Sequence, residues 1–302
     1  MDLTEKEWFI QVPWGRLCVM AWGSCLNPPV LLVHGVGDNA ASFAPLARAL
    51  PDKFYYVGIE LPGVGKSERL PPGLMLTTYD LIYVIEAVAK HFRWESFGYI
   101  GHGLGGILGS LYNHSIPDKI SKLVELDPIN FMGVQPGAFA EWYHAYFTEY
   151  YKNYRSYNKP KEKGEKSSRT EAINKVMKSR CISEDFASSI VDRATERTND
   201  GYVRNTMDLR HTIISPPPLS PEYIRSVFLQ IKTPTLHVIS TESHNKNMFR
   251  NTSFLQDESN YTNRNFKCVK IEGSHYFHMQ SPEKIGTVVG QFLLGGDVKA
   301  KL

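Results

Sequence analysis

The chain has 302 residues, 42% of them hydrophobic and 22% charged, with a formal net charge of +3. This balance is ordinary for a globular protein and excludes a disordered tail, a collagen-like chain or a coiled coil. No apolar run approaches the roughly 18 residues of a membrane-crossing helix, and the positive excess is too small for general nucleic-acid binding.

Residues 1–7 are charged and lack an apolar stretch, so no secretory signal is expected. The sequons at Asn113, Asn251 and Asn260 then read as chance matches. Four cysteines, Cys18, Cys25, Cys181 and Cys268, form no C-x-x-C pair, which points to free thiols in a reducing compartment. Residues 8–12 and 17–22 read as strands around a Pro13-Trp14-Gly15 turn. The short apolar run 30–33 predicts a strand buried on both faces. A helix is expected over 42–50, where Phe43, Leu46 and Leu50 share a face, and a strand over 54–59. Residues 77–92 place Leu81, Ile82, Ile85, Val88, Ala89 and Phe92 at helical spacing. A strand at 97–100, a helix at 104–113 and a strand at 123–126 continue the rhythm. Such alternation predicts a parallel sheet with helices on both faces.

From residue 131 to about 230 the rhythm stops. Nine aromatics fall between Phe139 and Tyr157, a loop over 159–169 carries five basic and two acidic residues, and helices are expected near 171–178 and 184–195. The loop holds the whole net charge and reads as a solvated face. Strands resume at 235–239 and 266–271, and a last helix covers 282–294. The organisation expected is an α/β core of residues 1–130 and 231–302, with a helical cap over 131–230 that shows no clear strands.

Three loops carry candidate chemistry. Gly101-His102-Gly103-Leu104-Gly105-Gly106 joins a strand to a helix, the setting of the nucleophile elbow G-x-S-x-G, but its centre is Gly103. His34-Gly35-Val36-Gly37 follows the buried strand 30–33, where an oxyanion loop belongs; the backbone N–H groups of Val36 and Leu104 are the expected donors. Gly273-Ser274-His275-Tyr276-Phe277-His278-Met279 follows the last strand, and His275 is the candidate general base. The acid that orients it is Asp127, after the strand 123–126, or Glu242, after the strand 235–239. His34, Gly35 and His102 beside the elbow, Trp142 and Tyr146 from the aromatic cap, and Tyr276 beside the base are expected to line a substrate pocket. The spacing His275-x-x-His278 suggests a metal pair, but no carboxylate or cysteine nearby in the sequence completes a set, so no metal and no cofactor is expected. Gly63-Val64-Gly65-Lys66-Ser67 resembles the end of a P-loop, yet Glu60 stands where the first glycine belongs, and a turn explains it.

Together with Val12-Pro13-Trp14-Gly15, Asp38-Asn39-Ala40, Ser42-Phe43 and Met207-Asp208-Leu209-Arg210, these loops resemble the α/β-hydrolase superfamily over nearly the whole chain. More narrowly they resemble its serine-hydrolase-like (kraken-type) branch. The resemblance implies an eight-stranded, mostly parallel sheet under a helical cap and hydrolysis of small carboxylic esters or related acyl compounds. It also implies an association with peroxisomes. The last three residues, Ala300-Lys301-Leu302, independently approximate the Ser-Lys-Leu address read by the peroxisomal import receptor. The departure is Gly103, where the pattern has serine. A hydrogen atom cannot attack a carbonyl, so acyl-enzyme chemistry through residue 103 is excluded.

Four readings remain open from the sequence. The chain binds a small apolar ligand, or it runs chemistry that needs only a base and an oxyanion hole. Alternatively Gly103 is an engineered substitution in an ester hydrolase, or the chain is a protein-interaction module. The glycine is also expected to ease the strained backbone of the elbow.

Overall fold

A buried strand reads differently from an edge strand, and the computed structural model, which describes residues 5–128 and 134–296, separates the two clearly. In β1 (Glu5–Val12) exposure alternates towards its end; it is an edge strand with one face in water. β2 (Gly15–Trp22), β3 (Pro29–Val33), β4 (Tyr55–Ile59), β5 (Phe97–His102) and β6 (Ile120–Leu126) are mostly buried on both faces. β7 (Thr235–Ser240) is wholly buried, and β8 (Phe266–Ile271) alternates again at the opposite edge. The sheet order is β1-β2-β4-β3-β5-β6-β7-β8. β1 and β2 pair antiparallel, as do β2 and β4; the other neighbours are parallel. The parallel strands therefore deliver their C-terminal loops to one edge, where sites in such sheets collect.

Helices cover both faces. α1 (Ala44–Ala49) follows a 3₁₀ turn, Ala40–Phe43, capped by the Asn39 side chain. α2 (Thr78–Phe92) starts at a reciprocal Thr77–Asp80 capping box and buries the stripe Leu81, Ile82, Ile85, Val88 and Ala89. α3 (Leu104–Ser115) lies beside it. These two helices share one core with β2, β4 and β5, while α1 and the C-terminal helix share another on the opposite face.

Between β6 and β7 the chain forms α4 (Arg169–Arg180), α5 (Glu184–Ala194) and α6 (Pro221–Phe228); α7 (Pro282–Leu293) closes the chain after β8. Contrary to the sequence expectation, this region also holds a three-stranded antiparallel sheet of Lys166–Ser167, Val203–Asn205 and Thr195–Arg197. Strands of two or three mostly polar residues leave no period in the sequence to detect. Three buried arginines fasten the region to the main sheet. Arg193 on α5 bonds Glu60 at 2.6 Å and also pairs with Glu7. Arg180 at the end of α4 bonds Asp38 at 2.8 Å and the Gly37 carbonyl at 2.9 Å. Arg210 pairs with Asp208 and caps the carbonyls of Leu70, Pro71 and Leu74. The run Gly63–Ser67 is a turn folded around buried Glu60, which accepts from the Lys66 N–H and, through its carbonyl, from Ser67 Oγ.

His211 lies against this junction, buried, with Nε2–H donated to the Pro62 carbonyl at 2.7 Å. Burial disfavours its charged form and lowers its pKa from 6.5 to about 4. A depressed histidine stabilises the fold fully above pH 6.5, and that contribution is lost as pH falls through 4. Unfolding free energy measured by denaturant titration should therefore drop over this interval, and less steeply in His211→Gln.

Candidate active site

β5 turns into α3 at Gly103, whose φ of +53° and ψ of −113° lie outside the regions open to ordinary residues. The turn is tight because strand and helix touch through backbone: a Cβ on Gly105 would sit 2.0 Å from the Val33 carbonyl oxygen. A Cβ on Gly103 would meet His275 Nε2 at 3.3 Å, His275 Cε1 at 3.4 Å and Gly35 Cα at 3.7 Å. The imidazole of His275 thus faces the position of the missing side chain.

On its other side, His275 Nδ1 lies 2.7 Å from Asp127 Oδ2. Asp127 is fully buried and is held by Ser240 N–H at 2.9 Å, Ser240 Oγ at 3.0 Å and Ser243 Oγ at 2.5 Å. With its oxygens all engaged as acceptors, the carboxylate keeps the Nδ1–H tautomer, so Nε2 presents its lone pair to the elbow. Of the two candidate acids, the structure brings Asp127 to the base; Glu242 turns away to pair with Lys246 on the next helical turn.

The remaining candidates separate. Gly35 abuts the elbow, Leu104 heads α3 with the unpaired N–H groups of a helix start, and Val36 lies part-exposed in the loop after β3. Tyr276 borders a cleft of about 340 Å³ that also touches Arg180, Cys181, Ser243, Lys246 and His275. The Arg180 guanidinium lies 5.0 Å from the Tyr276 ring centroid, a cation–π contact that fixes this wall.

Four pocket candidates do other work. His34 is buried and spends both nitrogens on backbone, Nδ1–H to the Gly35 carbonyl and Nε2 from the Leu61 N–H. His102 is buried beneath the base, its Nε2–H donated to the His275 carbonyl at 2.9 Å. Trp142 packs on Phe139, Tyr146 and Phe147, and Tyr146 on the cluster of Met75, Tyr150 and Ile213. Neither Trp142 nor Tyr146 borders the cleft beside His275. Of the aromatic run, Phe139, Tyr143, Tyr151 and Tyr154 are exposed and the rest are partly or fully buried; the cleft beside His275 is rimmed instead by Arg180, Lys246 and Glu242.

Sequence reasoning missed the serines that hold Asp127 and the pairing of Asp38 with Arg180. It also missed a meeting of Asp38, His102 and His278, whose potential ligand atoms lie within 4.8 Å of one another. The carboxylate absent from the sequence neighbourhood of His278 is supplied by a loop 240 positions earlier, which is why spacing alone rejected a metal. Burial pushes the pKa of His278 down to about 3 and that of His102 well below its usual value, so both imidazoles are neutral.

An eight-stranded sheet with this strand order, an elbow, and a His–Asp pair at its C-terminal edge defines the α/β-hydrolase class. Residues 28–282 match the family model for the alpha/beta hydrolase fold, and the chain belongs to that family. It is 27% identical to human "Serine hydrolase-like protein 2", over 95% of this chain and 94% of that protein. It is also 27% identical to mouse "Serine hydrolase-like protein", covering 96% of each. Both similarities run over nearly the full length of each chain. Among solved structures, a hypothetical protein from Pseudomonas aeruginosa PAO1 superposes with a TM-score of 0.77 at 22% identity, over 95% of this chain and 99% of that one. A thioesterase domain from the curacin biosynthetic pathway gives 0.73 at 17% identity, over 95% and 99%.

The elbow dihedrals set the cost of a side chain there. Any Cβ at residue 103 must adopt the strained conformation that glycine holds freely, at a cost of about 1–3 kcal/mol. Gly103→Ser should lower the unfolding free energy by that amount in urea titrations, with unchanged far-UV circular dichroism.

Proposed function

We propose that the chain binds small esters or related acyl compounds at the elbow and that serine chemistry through residue 103 is lost. The observation that carries this reading is the 3.3 Å between His275 Nε2 and the position a Cβ of residue 103 would take. A base is aimed at a hydroxyl that the sequence does not supply. Covalent acyl transfer through this residue is therefore closed, while the groups that receive an acyl carbonyl, the Val36 and Leu104 N–H groups, belong to loops flanking the same spot.

The same distance favours one residual reaction. A water held above Gly103 would lie within reach of Nε2. His275 would take its proton as the oxygen attacks the acyl carbon, and the imidazolium would return that proton to the departing alkoxide. In serine proteases stripped of triad members, binding and the oxyanion hole alone leave roughly 10³–10⁴-fold acceleration over water. Slow hydrolysis independent of residue 103 is the activity expected of the native chain.

Turnover of short p-nitrophenyl esters tests this reading. Gly103→Ser should raise the rate by about 100-fold or more and acquire fluorophosphonate labelling at Ser, both lost again on adding His275→Ala. The native chain should take no label at residue 103. A serine variant that neither turns over esters nor labels would mean that the site no longer accepts acyl compounds, and would leave an interaction role in its place.

For localisation we propose the peroxisome, on the chemistry of Ala300-Lys301-Leu302, which lies outside the described residues. A fluorescent protein carrying the last ten or so residues should enter peroxisomes and be released to the cytosol when Leu302 is deleted.

A further inference from the structure

Asp38 from the loop after β3, His102 from the end of β5 and His278 from a short helix after β8 converge in the interior, at relative exposures of 1%, 1% and 0%. Asp38 Oδ2, His102 Nδ1 and both ring nitrogens of His278 are buried and, among the described residues, make no hydrogen bond. The tautomer of His102 is set by its surroundings. Its Nε2 bonds a carbonyl, that of His275, so Nε2 carries the proton and Nδ1 carries a lone pair. Asp38 Oδ2 is likewise an acceptor only. Two acceptor atoms, and a third ring carrying one acceptor nitrogen and one N–H, thus lie within 4.8 Å of one another in the interior without pairing. Unpartnered buried polar atoms of this kind are costly, and several aimed at one point call for an occupant.

We propose that this spot is a divalent transition-metal site, with Asp38 Oδ2, His102 Nδ1 and one nitrogen of His278 as ligands. Two imidazoles and a carboxylate form a recurrent N₂O donor set for zinc and its neighbours. The outer contacts have the form such sites use: the second nitrogen of His102 donates to a backbone carbonyl, and the other oxygen of Asp38 is held by Arg180 at 2.8 Å and by the Asn39 N–H at 2.9 Å. Arg180 also decides which metal. It already offsets the single carboxylate, so a hard cation such as Mg²⁺ or Ca²⁺, which relies on several anionic oxygens, finds too little negative charge. A metal that bonds imidazole strongly, Zn²⁺ or Co²⁺, does not have that requirement. Glycine at position 35 keeps a side chain away from this nitrogen: a Cβ there would lie 3.0 Å from His102 Nδ1. Bound metal would tie the loop after β3, the end of β5 and the loop after β8 into one unit, directly behind the elbow.

Because the ligands are buried, loading is coupled to folding, and the test refolds the full chain with Zn²⁺, Co²⁺, Mg²⁺ or Ca²⁺ before exhaustive dialysis. Elemental analysis should find about one Zn²⁺ or Co²⁺ per chain and no Mg²⁺ or Ca²⁺, with the Co²⁺ form showing visible absorption of nitrogen and oxygen ligation. His278→Phe keeps ring volume beside Phe43, whose centroid lies 5.6 Å away, and removes both nitrogens. It should weaken Zn²⁺ affinity by about 100-fold or more. Should that variant fail to fold, ring NMR signals of the native chain decide: His102 and His278 shift on loading if the site is right. Retention of no metal, an ordered water at the centre in a crystal grown with Zn²⁺, equal retention by folded His278→Phe, or shifts confined to other histidines would each overturn the assignment. Equal retention would point instead to the exposed thiols of Cys25 and Cys181.

Discussion

The contact on which this molecule depends is backbone against backbone, where α3 presses on β3 and β5. Cβ atoms at Gly101 and Gly105 would lie 2.2 Å and 2.0 Å from carbonyl oxygens of the neighbouring element. No side chain separates the helix from the sheet there, so the chain has one residue in which to reverse from strand to helix. That residue must leave the ordinary backbone regions, and the turn that results lifts position 103 above the sheet edge while aiming the start of α3 at the same point. The strand order then does the rest. β3 lies on one side of β5 and β6 on the other, so the loops bearing Gly35 and Asp127 flank the elbow, and the loop after β8 reaches across to set His275 over it.

A second constraint joins the region between β6 and β7 to this edge. Arg180 and Arg193 are nearly buried and end on Asp38 and Glu60, carboxylates with almost no exposure. Removing one partner of such a pair strands the other charge, at a cost of about 3–5 kcal/mol. Arg180 also forms one wall of the cleft beside His275. The attachment and the cleft therefore share a residue, and movement of α4 would alter both.

Much of the main sheet was legible because burial on two faces writes a continuous apolar run, as at Val30–Val33, and because Gly101, Gly105 and Gly106 mark a tight strand-to-helix approach. The base was legible for a related reason: position after the last strand narrows a histidine's role. What stayed hidden was whatever depends on contacts between distant loops. Nothing in the local sequence ranks Asp127 above Glu242; the difference is made by Ser240 and Ser243, which hold one carboxylate, and by Lys246, which draws the other away. The aromatics from Phe139 to Tyr157 misled in the opposite way. Apolar rings that line a ligand pocket and rings that pack a helix onto its neighbour have the same composition, and only their partners, such as Tyr150 stacked on Tyr157, tell them apart.

An intact base and acid above a missing nucleophile invites the view that the pair survives only as scaffolding, and the geometry argues against that for one of the two. Asp127 is buried with every contact satisfied; folding alone explains it, since a carboxylate so placed needs its donors. His275 is different. One nitrogen serves Asp127, but its side chain is 21% exposed and its Nε2 makes no hydrogen bond among the described residues. His34, by contrast, is buried with both nitrogens bound to backbone. The free nitrogen of His275, aimed at the space above Gly103, is the part of the arrangement that stability does not require.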